Sequence, residues 1–201
     1  MSHCGCDTDA AQQLERRTLC VLLLINATLF VAEAVVAWIA QSTGLLADSL
    51  DMLADAIVYG TALYASVRSV RLQRHAAFAS GIVQIALGVG VLLEVVRRCL
   101  LGSDPISTLM IVTGCVALVA NVLCLFLIAK HRKGGVHMRA SWIFSTNDVL
   151  ANVGVILSGV TVRVLDSPIP DLLIGGIISL VVVYGGFRII RQARESDATA
   201  E

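Results

Sequence analysis

A chain of 201 residues that is 57% hydrophobic, with a mean hydropathy of +0.82 and 15% charged residues, is too apolar for a water-soluble domain, in which about 45–50% apolar content is usual. Fifteen basic and fifteen acidic residues cancel, so net charge offers no basis for nucleic-acid binding. The composition is that of a membrane protein whose charges collect between long apolar runs.

The first 17 residues are polar and contain "HCGCD", in which His3, Cys4, Cys6 and Asp7 offer soft and borderline ligands for a metal ion; a free tail accounts for them equally well. The apolar run that follows is too long, and lacks the small-residue cleavage site, for a removable signal peptide. Six apolar segments then succeed one another: Leu19 to Ala40, Leu45 to Val67, Ala76 to Val96, Ile106 to Ala129, Ala140 to Val162, and Leu172 to Ile190. They are separated by "QSTG", "RSVRLQRH", "RRCLLGSDP", "KHRKGGVH" and "RVLDSPIPD", stretches rich in charge and in helix breakers. Lipid cannot satisfy backbone N–H and C=O groups, and the runs lack the alternation of barrel strands, so each is expected to be a helix.

Basic residues flank these segments unequally. Arg16, Arg17, Arg68, Arg71, Arg74, Lys130, Arg132, Lys133, Arg139, Arg188, Arg191 and Arg194 fall on the side of the termini, against Arg97, Arg98 and Arg163 on the other. The expectation is an all-α, polytopic membrane protein with six transmembrane helices and both termini cytoplasmic, multi-pass in the inner (cytoplasmic) membrane. Residues 1–18 form a cytoplasmic tail, 19–190 the transmembrane domain, and 191–201 a short cytoplasmic tail with too few residues for a core of its own. Cys20, Cys99, Cys115 and Cys124 lie in or beside apolar segments and are expected to remain free. The small residues of "GGIISLVVVYGG" in the sixth segment allow close helix approach, within one bundle rather than at a dedicated dimer seam.

Against this background the second segment carries Asp48, Asp51 and Asp55, spaced i, i+3 and i+7 and therefore on one face of a helix. A carboxylate at the bilayer centre costs about 2.5–3.5 kcal/mol even on the gentler insertion scale, so three together require a cation, a proton or water. The fifth segment, "ASWIFSTNDVLANVGV", adds Asp148 at mid-span with Asn147 beside it and Asn152 one turn on. Asn26, Glu33 and Asn121 are further polar residues expected to face a bundle interior. Oxygens one turn apart on one helix, completed by a carboxylate from another, suit a divalent cation. His75, His131 and His137 read as solvated or headgroup-facing histidines.

The stretch "NATLFVAEAVVAWIAQSTGLLADSLDMLADA" resembles the first two helices of the cation diffusion facilitator family, with Asn26, Phe30, Glu33, "LLAD" at 45–48, Asp51 and Asp55 in order. "LEVVRR", Asn121, "HMRASWIFSTNDVLANVGVILSG" and "DLLIGGIISLVVVYGGFRIIRQA" extend the resemblance over nearly the whole chain. It implies a secondary transporter that exports divalent cations of the zinc, cadmium, cobalt, manganese or iron class from the cytoplasm by proton antiport. It also implies a homodimer, with the metal as substrate and no cofactor. Two departures accompany it: the chain stops before the cytoplasmic domain usual in the family, and Phe144 stands where a His or Asp ligand is usual.

The implied site therefore consists of Asp51, Asp55 and Asp148, with Asp48, Asn147, Ser145 or water as the fourth ligand; helical geometry sets Asn147 about 100° from Asp148. An all-oxygen set leans toward harder ions, although zinc and cadmium also accept carboxylates. The absence of a phosphate-binding G-x-x-x-x-G-K-[ST] loop disfavours an ATP-driven pump. Competing expectations are a proton-coupled small-molecule exporter or a non-transporting membrane protein. An intramembrane aspartyl protease is disfavoured because "STN" precedes Asp148 in place of the G-x-G of such enzymes.

Overall fold

The computed structural model describes residues 4–65, 70–129 and 136–198; within these, the side chains of 4–15, 62, 65, 70–74, 76, 136–145, 192 and 195–198 are outside the description. The described residues form six α-helices: α1 (Cys4–Ala40), α2 (Thr43–Ala65), α3 (Val70–Leu101), α4 (Ser107–Ala129), α5 (Val136–Leu165) and α6 (Ile169–Ala198). Four of them outrun the apolar segments read from the sequence. A helix satisfies its own backbone wherever it lies, so α1, α3, α5 and α6 continue past the hydrocarbon-compatible stretch.

Five helices are long and apolar enough to cross a membrane by length and composition, within Arg16–Ala40, Ala77–Leu101, Ser107–Ala129, Thr146–Leu165 and Ile169–Arg191. The sixth, α2, is set apart by its three aspartates, and its surroundings explain how it carries them. It packs against α1, α3, α5 and α6, and Ser42 through Leu45 and Ala47 through Ser49 are all buried. The outer surface is apolar instead: Leu24, Val31, Trp38, Leu93, Val119, Phe126, Leu157 and Leu180 are exposed, the inversion expected when lipid is the solvent.

Close contact between α3 and α6 comes from small residues. A Cβ built on Gly81 would lie 2.9 Å from the Gly186 carbonyl oxygen, and one on Gly186 would lie 2.9 Å from that of Gly81, so the two backbones touch where neither has a side chain. Gly88 meets Val183 in the same way two turns further on. At the terminal end of this pair the Arg194 guanidinium lies 5.7 Å from the centre of the Phe78 ring. The glycines of "GGIISLVVVYGG" thus pack largely inside the bundle: Gly175 lies on Thr43, Gly185 faces Gln84 and Gly186 faces Ile85, while Gly176 meets nothing. Cys20, Cys99, Cys115 and Cys124 are free.

A single carboxylate ties the start of α2 to the start of α6. Asp171 is wholly buried. Its Oδ1 accepts from the Ser42 hydroxyl at 2.6 Å and the Gly44 N–H at 3.0 Å; its Oδ2 accepts from the Thr43 N–H at 2.6 Å and the Thr43 hydroxyl at 2.9 Å. Ser42 in turn accepts the Leu45 N–H at 3.1 Å, as a helix N-cap does. A negative charge bonded to the first N–H groups of α2 is also favoured by the helix dipole. Gly175, one turn into α6, leaves room for this contact, since a Cβ there would lie 2.7 Å from the Thr43 backbone. By composition "RVLDSPIPD" is only a connecting segment, and nothing within it marks Asp171.

Candidate metal pathway

The helical spacing of the α2 acids places them along one strip of the central helix, and α5 brings Asp148 against it. Asp55 and Asp148 are buried, Asp51 half-buried. Asp55 and Asp148 lie within hydrogen-bonding reach of each other, and Asp48 and Asp51 are also close enough to Asp148 to act on it electrostatically. Two carboxyls in mutual contact need a proton or a cation between them. Tyr59, one turn beyond Asp55, donates its hydroxyl to Asp55 Oδ2 at 3.2 Å.

Asp51, Asp55 and Asp148 border a cavity of about 110 Å³ whose lining also includes Asn147, Gln84 and Arg188. The lining comes from the middle of α2 and α3, the middle and C-terminal part of α6 and the N-terminal half of α5. All four meet at the end of the bundle that carries the chain termini. The far end is held together by Asp171.

Four of the five candidate ligands therefore share one cavity: Asp51, Asp55, Asn147 and Asp148. Asn147 lines it although it lies about 100° round the helix from Asp148, because the cavity is broad enough to be bordered by successive residues of α5. Asp48 is not in that lining. It is wholly buried two turns toward the far end, where its Oδ1 accepts from Asn152 Nδ2 at 3.4 Å. The same Asn152 amide donates to the Asp148 carbonyl oxygen at 2.7 Å, so one side chain links the α5 backbone to the α2 acid strip. The side chains of Phe144 and Ser145 lie outside the description, as do His3 and the side chains of Cys4, Cys6 and Asp7. Among the described residues no three His, Cys, Asp or Glu side chains already form a closed metal cluster.

Gln84 and Arg188 were not weighed as site residues from the sequence. Gln84 is buried in α3 and faces Gly185 of α6, and Arg188 brings a positive charge to the cavity lining. A lone Gln inside an apolar run was the available signal for the first. Nothing separated the second from other helix-end arginines. Asn26, Glu33 and Asn121 are buried, as their spacing predicts. Asn26 donates to the Leu22 carbonyl at 2.9 Å, and Asn121 reaches Met52 Sδ at 3.8 Å. Glu94, by contrast, is engaged by Arg97 and Arg98 at 2.6–2.7 Å and has no place in the pathway.

Residues 19–196 match the cation efflux transmembrane domain. The chain belongs to the cation efflux family. It is similar to the zinc transporter ZitB of Yersinia pseudotuberculosis serotype I (strain IP32953), 22% identical over 196 residues that cover 91% of this chain and 63% of that protein. ZitB of Pectobacterium atrosepticum is 22% identical over 206 residues, 96% of this chain and 63% of that protein. The cadmium, cobalt and zinc/H(+)-K(+) antiporter of Bacillus subtilis (strain 168) is 21% identical over 192 residues, 89% of this chain and 62% of that protein. The chain thus spans a little over 60% of the length of these relatives. A family of transporters, together with five apolar membrane-crossing helices, makes this chain a multi-pass membrane protein.

Proposed function

We propose that this protein is a secondary transporter that exports a divalent cation of the zinc, cadmium, cobalt, manganese or iron class from the cytoplasm, in exchange for protons. The observation that carries the proposal is the cavity at the terminal end of the bundle, in which carboxylates from α2 and α5 meet. Asp51, Asp55 and Asp148 are its metal ligands, Asn147 supplies a neutral oxygen from the same wall, and Asp48 receives the ion further along the strip.

Charge supports this reading. Three carboxylates exceed a divalent cation by one negative charge, and a single proton shared between Asp55 and Asp148 removes the excess. Metal and proton compete for the same oxygens, so loading from one side and protonation from the other is an exchange. The relatives' names, zinc transporter and cadmium, cobalt and zinc/H(+)-K(+) antiporter, agree with this substrate class.

In this reading α2 is the sixth span, screened from lipid by its neighbours. The predominance of basic residues on the terminal side supports cytoplasmic termini, and the inner membrane is part of the same reading. The present conformation then faces the cytoplasm, and the Asp171 junction closes the opposite side. The family resemblance further supports a homodimer.

The test is reconstitution into proteoliposomes with an imposed pH gradient and a screen of zinc, cadmium, cobalt, manganese and iron. Metal flux coupled to dissipation of the gradient is expected, and its loss in Asp51→Ala and Asp148→Ala. Undiminished flux in both variants would refute the assignment.

A further inference from the structure

Glu33 of α1 is wholly buried, and neither of its carboxyl oxygens has a hydrogen-bond partner. Asp48 Oδ2 and Asn152 Oδ1 are in the same condition, and both residues are wholly buried too. The Glu33 and Asp48 carboxyls belong to one neighbourhood. Glu33 lies seven residues before the end of α1 and Asp48 five residues after the start of α2. At 1.5 Å per residue on either side of a tight turn, the two stand within about 3 Å of the same level. They act on each other electrostatically, and Asn152 already bonds Asp48 across the α2–α5 contact.

A buried carboxylate normally collects donors, as Asp171 does. At Glu33 the described residues supply none. Among them, no Lys, Arg or His pairs with Glu33, Asp48 or Asn152. Asp48 Oδ1 is held by the Asn152 amide, while Asp48 Oδ2 and both Glu33 oxygens are left without a donor among the described residues. Such a pair suits a cation, because two carboxylates match a divalent charge.

We propose that Glu33 and Asp48, the latter held by Asn152 of α5, form a second binding station for the divalent cargo between α1 and α2, about 10 Å beyond Asp55 toward the far side of the membrane. The station rests on the transport reading and extends it. An ion leaving Asp51, Asp55 and Asp148 meets a charge-matched set of oxygens two turns on, along the same strip of α2.

The experiment counts zinc bound per full-length chain in detergent, by equilibrium dialysis and elemental analysis, for wild type, Glu33→Gln, Asp148→Asn and the double variant. Each single variant is expected to hold one zinc fewer than wild type, and the double variant two fewer, whatever the N-terminal tail also holds. In proteoliposomes Glu33→Gln is expected to lower the maximal zinc flux by on the order of tenfold, with the half-saturating zinc concentration on the loading side changed by less than about twofold. Zinc counts equal to wild type in Glu33→Gln would mean that Glu33 holds only a proton, and would overturn the second station. If Glu33→Gln does not fold, Asp48→Asn gives the same count. A wild-type level of zinc in Asp148→Asn would instead refute the transport site itself, so the two failures are distinct.

Discussion

Two buried carboxylates of this bundle are treated in opposite ways. Asp171 accepts four hydrogen bonds from Ser42, Thr43 and Gly44, whereas Glu33, equally buried, accepts none. The first is a structural anion: its donors replace the water lost on burial, and it locks one end of α2 to α6. The second, like Asp48 Oδ2, has no donor among the described residues, at a cost that a cation or a proton relieves. Of the cavity acids, Asp55 accepts a single hydrogen bond from Tyr59, and Asp51 and Asp148 border the same cavity. A full set of donors marks Asp171 as an acid that holds the fold, and the missing donors at Glu33 mark where a cation or proton is proposed to bind.

The sharpest break of the comparison would come at Asp148. Replacing it with Ala is expected to reduce metal flux by at least about 100-fold, equivalent to roughly 2.7 kcal/mol, with the thermal midpoint retained or raised because a costly buried acid is removed. Flux and thermal unfolding measured on the same preparation check both halves. Next in size is the converse case: Asp171→Ala is expected to destabilise the bundle by roughly 3 kcal/mol, because four buried donors lose their acceptor. Its zinc count should be unchanged, which thermal unfolding and dialysis would establish together.

A smaller effect is expected at Arg188. Removing its charge with Arg188→Gln should tighten zinc binding about fivefold at low ionic strength and much less in 1 M salt, as follows from about 1 kcal/mol of screened repulsion. Calorimetric titration at two salt concentrations reads this directly. The smallest belongs to Asn147→Ala, where loss of one neutral oxygen should weaken binding about two- to fivefold without abolishing flux.

The helices and the acid strip were legible in the sequence, because apolar run length and the i, i+3, i+7 spacing of Asp48, Asp51 and Asp55 are local properties. The helix ends were not, since a backbone that bonds to itself does not stop where hydropathy does. Asp171 escaped notice for a related reason. It follows two prolines at a helix start, where an acid reads as an ordinary first-turn residue, and only the tertiary contact with Thr43 and Gly44 reveals its role. The separation of Asp48 from the cavity and the entry of Asn147 into its wall both depend on how α5 is seated against α2, which no spacing within either helix specifies. Likewise, the levels of Glu33 and Asp48 are matched by the tight turn at Gln41 and Ser42, where Gln41 adopts a left-handed backbone with φ of 49°.

The central claim is that oxygens from α2 and α5 converge on one divalent ion inside the bundle. Anomalous scattering from crystals of the protein equilibrated with cadmium tests it most directly. A cadmium peak in contact with Asp51, Asp55 and Asp148 is expected. Cadmium found only on the surface or at the N-terminal cysteines, with these three acids bearing no ion, would contradict it.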